Sequence, residues 1–223
     1  MSSLPAAVLW DLDGTLIDTE PLWMEAEFAL VAEHGGSWTD ADARSIVGFG
    51  LRSAARVLQD HGVAMETDAI VHELMDRVIA QLQAGGLPWR PGARELLVAC
   101  RESRVPTALV TMSWRTLTDA AVVGMAASVP DPFDLTVAGD EVSASKPDPA
   151  PYLLAASKLG VDPGDCIAIE DSPTGVASAL AAGCVTIGVP AHVGLQAQPG
   201  LTLLPTLAGL DVDGLSALMA NSA

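Results

Sequence analysis

Asp11-Leu12-Asp13-Gly14-Thr15 follows directly on the apolar run Ala6 to Trp10 (AAVLW) and is the strongest chemical signal in the chain. Two carboxylates one residue apart repel each other and need a cation between or beside them. Gly14 allows a sharp turn behind them. An isolated pair of this kind reads as a solvated turn, but three further apolar runs end in groups that complete a site. Thr111 offers a hydroxyl after Thr107 to Val110 (TALV), Lys146 follows Leu135 to Ala138 (LTVA), and Glu170-Asp171 follows Cys166 to Ile169 (CIAI). In an open α/β sheet, ligands bind beyond the carboxyl ends of the strands. These strand ends therefore predict carboxylates, a hydroxyl and an ammonium gathered on one rim. Hard oxygen ligands of that type suit Mg²⁺, which also holds phosphate. Lys146 is one of only two lysines, the other being Lys158, and Pro147-Asp148-Pro149 stiffens the loop that presents it.

The elements needed to position these groups are legible around them. Val185 to Val189 (VTIGV) and, more weakly, Leu201 to Leu204 read as two more strands. Runs apolar on both faces are expected of central parallel strands covered by helices. Helix-like segments alternate with them at Ala93 to Ser103, Trp114 to Gly124, Pro149 to Leu159 and Thr174 to Ala182, so the chain reads as an open parallel α/β sheet. Asp148 before Pro149 and Ser172 before Pro173 look like helix N-caps, and Gly160 and Gly183 like helix stops. From about residue 19 to Gly86 no strand is evident. Pro21 to His34, Ala41 to Val47, Leu51 to His61 and Asp68 to Gln83 read as helices, with N-termini at Thr39 (with Asp42) and Thr67. Gly85-Gly86 and Pro88 close this interval. The expected organisation is an α/β core of residues 1–17 and 88–223 interrupted by a helical insert of residues 18–87.

Composition excludes several classes. Eleven Lys and Arg face 28 Asp and Glu, a net charge of -17, and half the residues are hydrophobic. Disordered chains are poorer in apolar residues. A generic nucleic-acid binder is basic, because phosphate neutralisation drives its affinity, and so acidic a surface repels nucleic acid and anionic lipid alike. The 36 alanines and the lysine shortage read as a base-composition effect. Ser172 to Leu210 holds no Asp, Glu, Lys or Arg, yet prolines and glycines break it up, so it is expected to be buried core and not a membrane span. Met1 to Trp10 has no basic segment of the kind a secretory signal carries. Cys100, Cys166 and Cys184 show no CxxC pattern, which suits inert buried thiols and a cytoplasmic location. No feature speaks to oligomeric state.

DLDGT at 11–15, LVTMS at 109–113, SKPDP at 145–149 and IEDS at 169–172 resemble the four ordered motifs of the haloacid dehalogenase superfamily. The insert after the first motif resembles the small helical cap of its β-phosphoglucomutase-like branch, and the resemblance spans essentially the whole chain. It implies a Rossmann-like parallel sheet core with an inserted α-helical cap domain, and a Mg²⁺-dependent phosphatase of a small phosphorylated metabolite. Asp11 would be the nucleophile that forms an aspartyl-phosphate, and Asp13 the acid and base. Mg²⁺ would be held by Asp11, the Asp13 backbone carbonyl and Asp171, with Glu170 adjacent. Thr111, Met112, Ser113 and Lys146 would bind the phosphoryl oxygens.

Substrate contacts are harder to read. Glu20, placed soon after the first motif, is expected to face the cleft. Arg52, in the segment Gly48 to Arg52 (GFGLR), is placed to pair with a charged part of the substrate, and Gly48 belongs to the same loop. Arg115 lies just past Thr111, near the phosphate pocket. Asp211-Val212-Asp213-Gly214 copies the first motif but has no strand before it and reads as a helix N-cap. Trp23 and Met24 read as cap packing, and the four histidines show no ligand spacing. A phosphomutase would use the same core, but Thr15 and Trp23 stand where that branch carries an apolar residue and a histidine. A haloacid dehalogenase needs neither the metal cluster nor an acid at Asp13. A non-catalytic phosphate-binding module is disfavoured by intact Asp11, Asp13, Lys146 and Asp171, and a dinucleotide site by the absence of GxGxxG after the first strand.

Overall fold

The computed structural model describes residues 4–47 and 49–222. Six strands form one parallel sheet in the order β3-β2-β1-β4-β5-β6: β1 (Ala7–Trp10), β2 (Thr107–Val110), β3 (Leu135–Val137), β4 (Cys166–Glu170), β5 (Val185–Gly188) and β6 (Leu201–Leu203). Every residue of β1, β2 and β4 is buried, whereas the edge strands β3 and β6 are half-covered. That gradient explains the run lengths seen in the sequence: only strands covered on both faces read as unbroken apolar runs. The strand order reverses direction at β1, so connections leave it on both sides and open a crevice at its carboxyl end. Register puts Trp10 opposite Leu109 on one side and Ile169 on the other, which sets Asp11 next to Glu170.

Helices cover the sheet as expected: α5 (Ala93–Glu102), α6 (Arg115–Ala126), α7 (Ala150–Leu159), α8 (Pro173–Ala181) and α9 (Val212–Ser222). Four more lie between β1 and α5: α1 (Glu20–Glu33), α2 (Asp40–Ser45), α3 (Leu51–Asp60) and α4 (Thr67–Gly85). The chain leaves and re-enters the core through two adjacent strands of backbone. Asp18 N–H donates to Pro88 O at 2.8 Å, Arg90 N–H to Leu16 O at 2.8 Å, and Ile17 bridges Trp89 antiparallel. The insert is not walled off from the sheet. One apolar cluster runs from Val8 and Trp10 through Leu12, Leu16 and Ile17 to Leu30, Ile70 and Met75 in the helices of the insert. Each such large side chain contributes roughly 1.5–3 kcal/mol by leaving water.

Local signals hold with a few shifts. Thr39 forms a capping box with Asp42, Ser172 Oγ accepts from Gly175 N–H at 3.1 Å, and Asp211 Oδ1 accepts from Gly214 N–H at 2.8 Å. Gly160 ends α7 in the left-handed region. Asp148 accepts from Ala150 N–H at 2.9 Å, but α7 begins one residue later than expected, with Pro149 itself at the boundary. Thr67 does not cap α4. Glu66 precedes the helix, and the Thr67 hydroxyl lies 3.4 Å from Gln59 Oε1. The uncharged segment from Ser172 to Leu210 is core mainly through α8, β5, Val189 and Leu207. Residues 191–200 are an exposed or half-exposed loop whose polarity comes from backbone and amide groups, not from charge. No described helix is long and apolar enough to cross a membrane. All three cysteines are free and buried, and burial pushes the thiols up to about 12, 11 and 12 for Cys100, Cys166 and Cys184.

Candidate active site

Asp11 begins the loop after β1, with its N–H held by Ile169 O at 3.1 Å. Its carboxylate is buried and its Oδ1 accepts from Lys146 Nζ at 2.7 Å. The same ammonium donates to Val110 O at 2.9 Å and to Glu170 Oε1 at 2.6 Å, so all three of its hydrogens have acceptors supplied by β1, β2 and β4. Only 4% of the Lys146 side chain is exposed. Burial alone would push that ammonium down. The Asp11 and Glu170 charges outweigh it and hold the Lys146 pKa above the ordinary lysine value.

Asp11, Glu170 and Asp171 each offer a carboxylate oxygen within 4.8 Å of the others. One ammonium does not balance three carboxylates. Burial, with Glu170 repulsion next, raises Asp11 to about 7 against the pull of Lys146, and burial with repulsion from Asp11 and Glu170 raises Asp171 to about 9. Glu170 Oε2 is buried with no hydrogen-bond partner. Two glycines leave the space these carboxylates fill. Gly14 sits at φ +84° where a Cβ would overlap Asp171 Oδ2, and a Cβ on Gly175 would overlap Glu170 Oε2. The cluster is crowded, oxygen-only and short of positive charge, which is the donor set a hard divalent cation requires.

Asp13 is held from three sides. Thr19 Oγ1 donates to Oδ1 at 2.6 Å, while Ser113 Oγ and Thr111 Oγ1 donate to Oδ2 at 2.7 and 3.3 Å. Thr111 is fully buried, and its hydroxyl oxygen accepts the Ser113 N–H at 3.0 Å. Met112 Sδ accepts from Lys146 N–H at 3.3 Å, tying the Lys146 loop to the end of β2.

These residues form the floor of a cleft of about 440 Å³ roofed by the helical insert. Asp11, Asp13, Met112, Ser113, Lys146 and Asp171 line it from the sheet side, whereas Thr111 and Glu170 lie behind that surface. Glu20 also lines the cleft. Burial raises its pKa, and His192 partly offsets this. Two expected contacts are not brought there. Arg52 pairs with Asp68, Nε to Oδ1 at 2.8 Å, and lies over the Trp114 ring at 4.9 Å. Arg115 is spent on Asp119, Thr136 and Glu141. Gly48 falls outside the described residues.

Three residues go beyond what sequence reasoning singled out. Thr19 holds Asp13, Tyr152 donates to Glu170 Oε1 at 2.5 Å, and Glu27 lines the cleft from α1. Glu27 carried a usable signal, a charge on the face of α1 that also buries Ala26, Leu30 and Val31.

A family model described as haloacid dehalogenase-like hydrolase matches residues 5–183. The chain is 36% identical over 184 residues to validoxylamine A 7'-phosphate phosphatase of Streptomyces hygroscopicus subsp. limoneus, covering 81% of this chain and 84% of that one. It is 33% identical over 190 residues to hexitol phosphatase B of Escherichia coli K12, covering 83% of each. The crystal structure of CbbY from Rhodobacter sphaeroides in complex with phosphate superposes with a TM-score of 0.84 at 26% identity, covering 95% of this chain and 99% of that one. With its six-stranded parallel sheet, its helical insert after β1 and this acidic cluster at the strand ends, the chain belongs to the haloacid dehalogenase-like hydrolases, in the branch related to CbbY, β-phosphoglucomutase and the hexitol phosphatases.

Proposed function

We propose that the protein is a Mg²⁺-dependent phosphatase of a small phosphorylated, sugar-like metabolite, acting through an aspartyl-phosphate on Asp11. The observation that carries this reading is the pairing of Asp11 with Lys146 beside a second aspartate, Asp13, on the floor of the cleft. Relatives named as phosphatases of phosphorylated carbohydrates and hexitols support it.

Lys146 occupies Asp11 Oδ1 and so leaves the other carboxylate oxygen to attack phosphorus. Asp13, in its protonated form, delivers its hydrogen to the departing ester oxygen, which leaves as an alcohol. The resulting carboxylate then takes a proton from water as that water attacks the phosphoryl group on Asp11, releasing phosphate and the free aspartate. Thr19 and Ser113 keep Asp13 aimed through both steps. Lys146 offsets the charge that would otherwise repel a phosphate dianion from the nucleophile. Asp11, Asp171 and the Asp13 backbone carbonyl would hold Mg²⁺, with Glu170 adjacent, and the ion would supply further neutralisation of the phosphoryl oxygens.

In this reading the α/β core comprises residues 1–17 and 88–223, and residues 18–87 form a cap that closes over bound substrate and excludes water. The paired crossings at Ile17–Asp18 and Pro88–Trp89 are a natural hinge. Phosphate release from a panel of monoesters in Mg²⁺ tests the proposal, and Asp11→Asn should abolish turnover. Release without Asp11, or no release from any monoester, would overturn it. A phosphomutase is the alternative; conversion of β-glucose 1-phosphate to glucose 6-phosphate with an activating bisphosphate would establish it.

A further inference from the structure

We propose that the cap side of the cleft is a hydroxyl-recognition subsite, in which Glu27 hydrogen-bonds the leaving group and selects uncharged, polyhydroxylated alcohols over those carrying a second anion. It rests on the phosphatase reading above and names the class of ester that site takes.

Glu27 lies seven residues beyond Glu20 on α1, so it sits about 10 Å further along the helix at 1.5 Å per residue. Glu20, Trp23 and Glu27 share one helix face, and all three line the cleft. Glu27 is 6% exposed, its Oε2 has no hydrogen-bond partner, and no described side chain forms an ion pair with it. A carboxyl group so placed costs free energy that leucine at the same position would not. The Trp38 indole lies beside this carboxyl, and Glu27 also lines the cleft, where an occupant can meet it.

The surroundings define that occupant. Among the described residues lining the cleft, Lys146 and His192 are the basic ones. Lys146 is saturated by Asp11, Val110 and Glu170 on the floor, and His192 Nε2 lies 2.7 Å from Asp18 Oδ1. Arg52, at the start of α3, is paired with Asp68. Among the described residues no cation lines the cap end of the cleft, so a carboxylate or second phosphate there would leave water without a counter-charge. Ile46, Val71, Leu74 and Trp23 supply apolar surface around the two acids. Burial, with Glu20 repulsion next, raises Glu27 to about 8, and the Trp38 indole offsets only part of this. Near neutral pH the group therefore carries both an O–H donor and an acceptor. A substrate hydroxyl matches that pair, being donor and acceptor at once.

The test is steady-state hydrolysis by the full chain in Mg²⁺, with four substrates: an alditol 6-phosphate, phosphoglycolate, a sugar bisphosphate, and acetyl phosphate, which has no hydroxyl to recognise. The wild type should prefer the alditol phosphate to both anionic esters by at least about tenfold in kcat/KM. In Glu27→Leu the ratio of kcat/KM on alditol phosphate to that on acetyl phosphate should fall about 10–100-fold. Glu27→Gln keeps a donor and an acceptor and should hold that ratio within about threefold of wild type. Equal loss on both substrates, an unchanged ratio in the leucine variant, or a wild-type preference for an anionic leaving group would each overturn the inference. Acetyl phosphate separates the two levels. Its hydrolysis without discrimination sinks the subsite alone, whereas no hydrolysis of any of the four sinks the phosphatase reading with it.

Discussion

Tyr152 reaches from the first turn of α7 to donate its phenol hydrogen to Glu170 Oε1 at 2.5 Å, the same oxygen that accepts from Lys146 at 2.6 Å. The Lys146 ammonium also lies 5.1 Å from the Tyr152 ring centroid. Burial, reinforced by the Glu170 and Asp11 charges, holds the phenol pKa well above its usual value, so Tyr152 stays a donor. A helix packed beneath the sheet thereby fixes one oxygen of Glu170 and leaves Oε2 buried beside Gly175 without a partner.

Tyr152→Phe should therefore loosen the proposed Mg²⁺ site without removing one of its carboxylates. Loss of one hydrogen bond to a charged acceptor costs about 1.5–3 kcal/mol, and groups that orient metal ligands influence affinity by about tenfold or more. Mg²⁺ titrations of activity should show an apparent affinity lowered about tenfold, with kcat at saturating Mg²⁺ near wild type. An unchanged Mg²⁺ dependence would mean that Lys146 alone positions Glu170.

Lys146→Met leaves Asp11 and Glu170 buried and unpaired. Breaking a buried ion pair from one side costs about 3–5 kcal/mol, so denaturant unfolding in the absence of Mg²⁺ should show a loss of that order, together with loss of turnover. Lys146→Arg should not rescue activity. Three acceptors at 2.6–2.9 Å surround a point-like ammonium, and a planar guanidinium cannot match them. Wild-type stability in the methionine variant would contradict the charge balance described for this cluster.

Arg52→Ala distinguishes an arginine that serves the fold from one that serves the substrate. The Arg52–Asp68 pair is 58% exposed on both sides, and solvent screens exposed pairs so that they add little to stability. The midpoint of denaturant unfolding should barely move, and kcat/KM should stay within about twofold. A tenfold fall in kcat/KM would show that Arg52 leaves Asp68 and enters the cleft when substrate is bound.

The sheet and its rim were readable because central parallel strands are apolar throughout and end abruptly in the residues that do chemistry, as Trp10-Asp11 and Ile169-Glu170-Asp171 do. Side-chain pairings across sequence-distant elements were not readable in the same way. Tyr152 looks like any aromatic on the buried face of α7, and only the parallel register of β1 and β4 brings Glu170 within its reach. Thr19 was hidden for a similar reason. It precedes α1 as a cap residue would, yet makes no side-chain cap and donates to Asp13. Arg52 reads as a substrate contact because sequence position does not reveal a competing carboxylate, and Asp68, its partner in the structure, lies at the start of the next helix. Helix starts differ by one residue at Asp148-Pro149 and at Glu66-Thr67, as helix ends commonly do.

Glu27 makes a prediction about stability that is separate from catalysis. Its folded pKa of about 8 lies above the value of 4.5 for an unperturbed glutamate, with burial as the main cause. The stability associated with the neutral form is fully present below about pH 4.5 and is lost as pH rises through about 8, because the unfolded chain gives up its proton first. Glu27→Gln is neutral at every pH and escapes this loss. The stability difference between the variant and wild type should therefore be small at pH 5 and grow in the variant's favour toward pH 8, by up to about 1.4 kcal/mol per pH unit. Denaturant unfolding of both proteins at pH 5, 6.5 and 8 in saturating Mg²⁺ checks this, since Asp11 and Asp171 are common to both and cancel in the difference. Parallel pH profiles would show that Glu27 ionises as freely as a surface carboxylate and is not held as an acid in the cap.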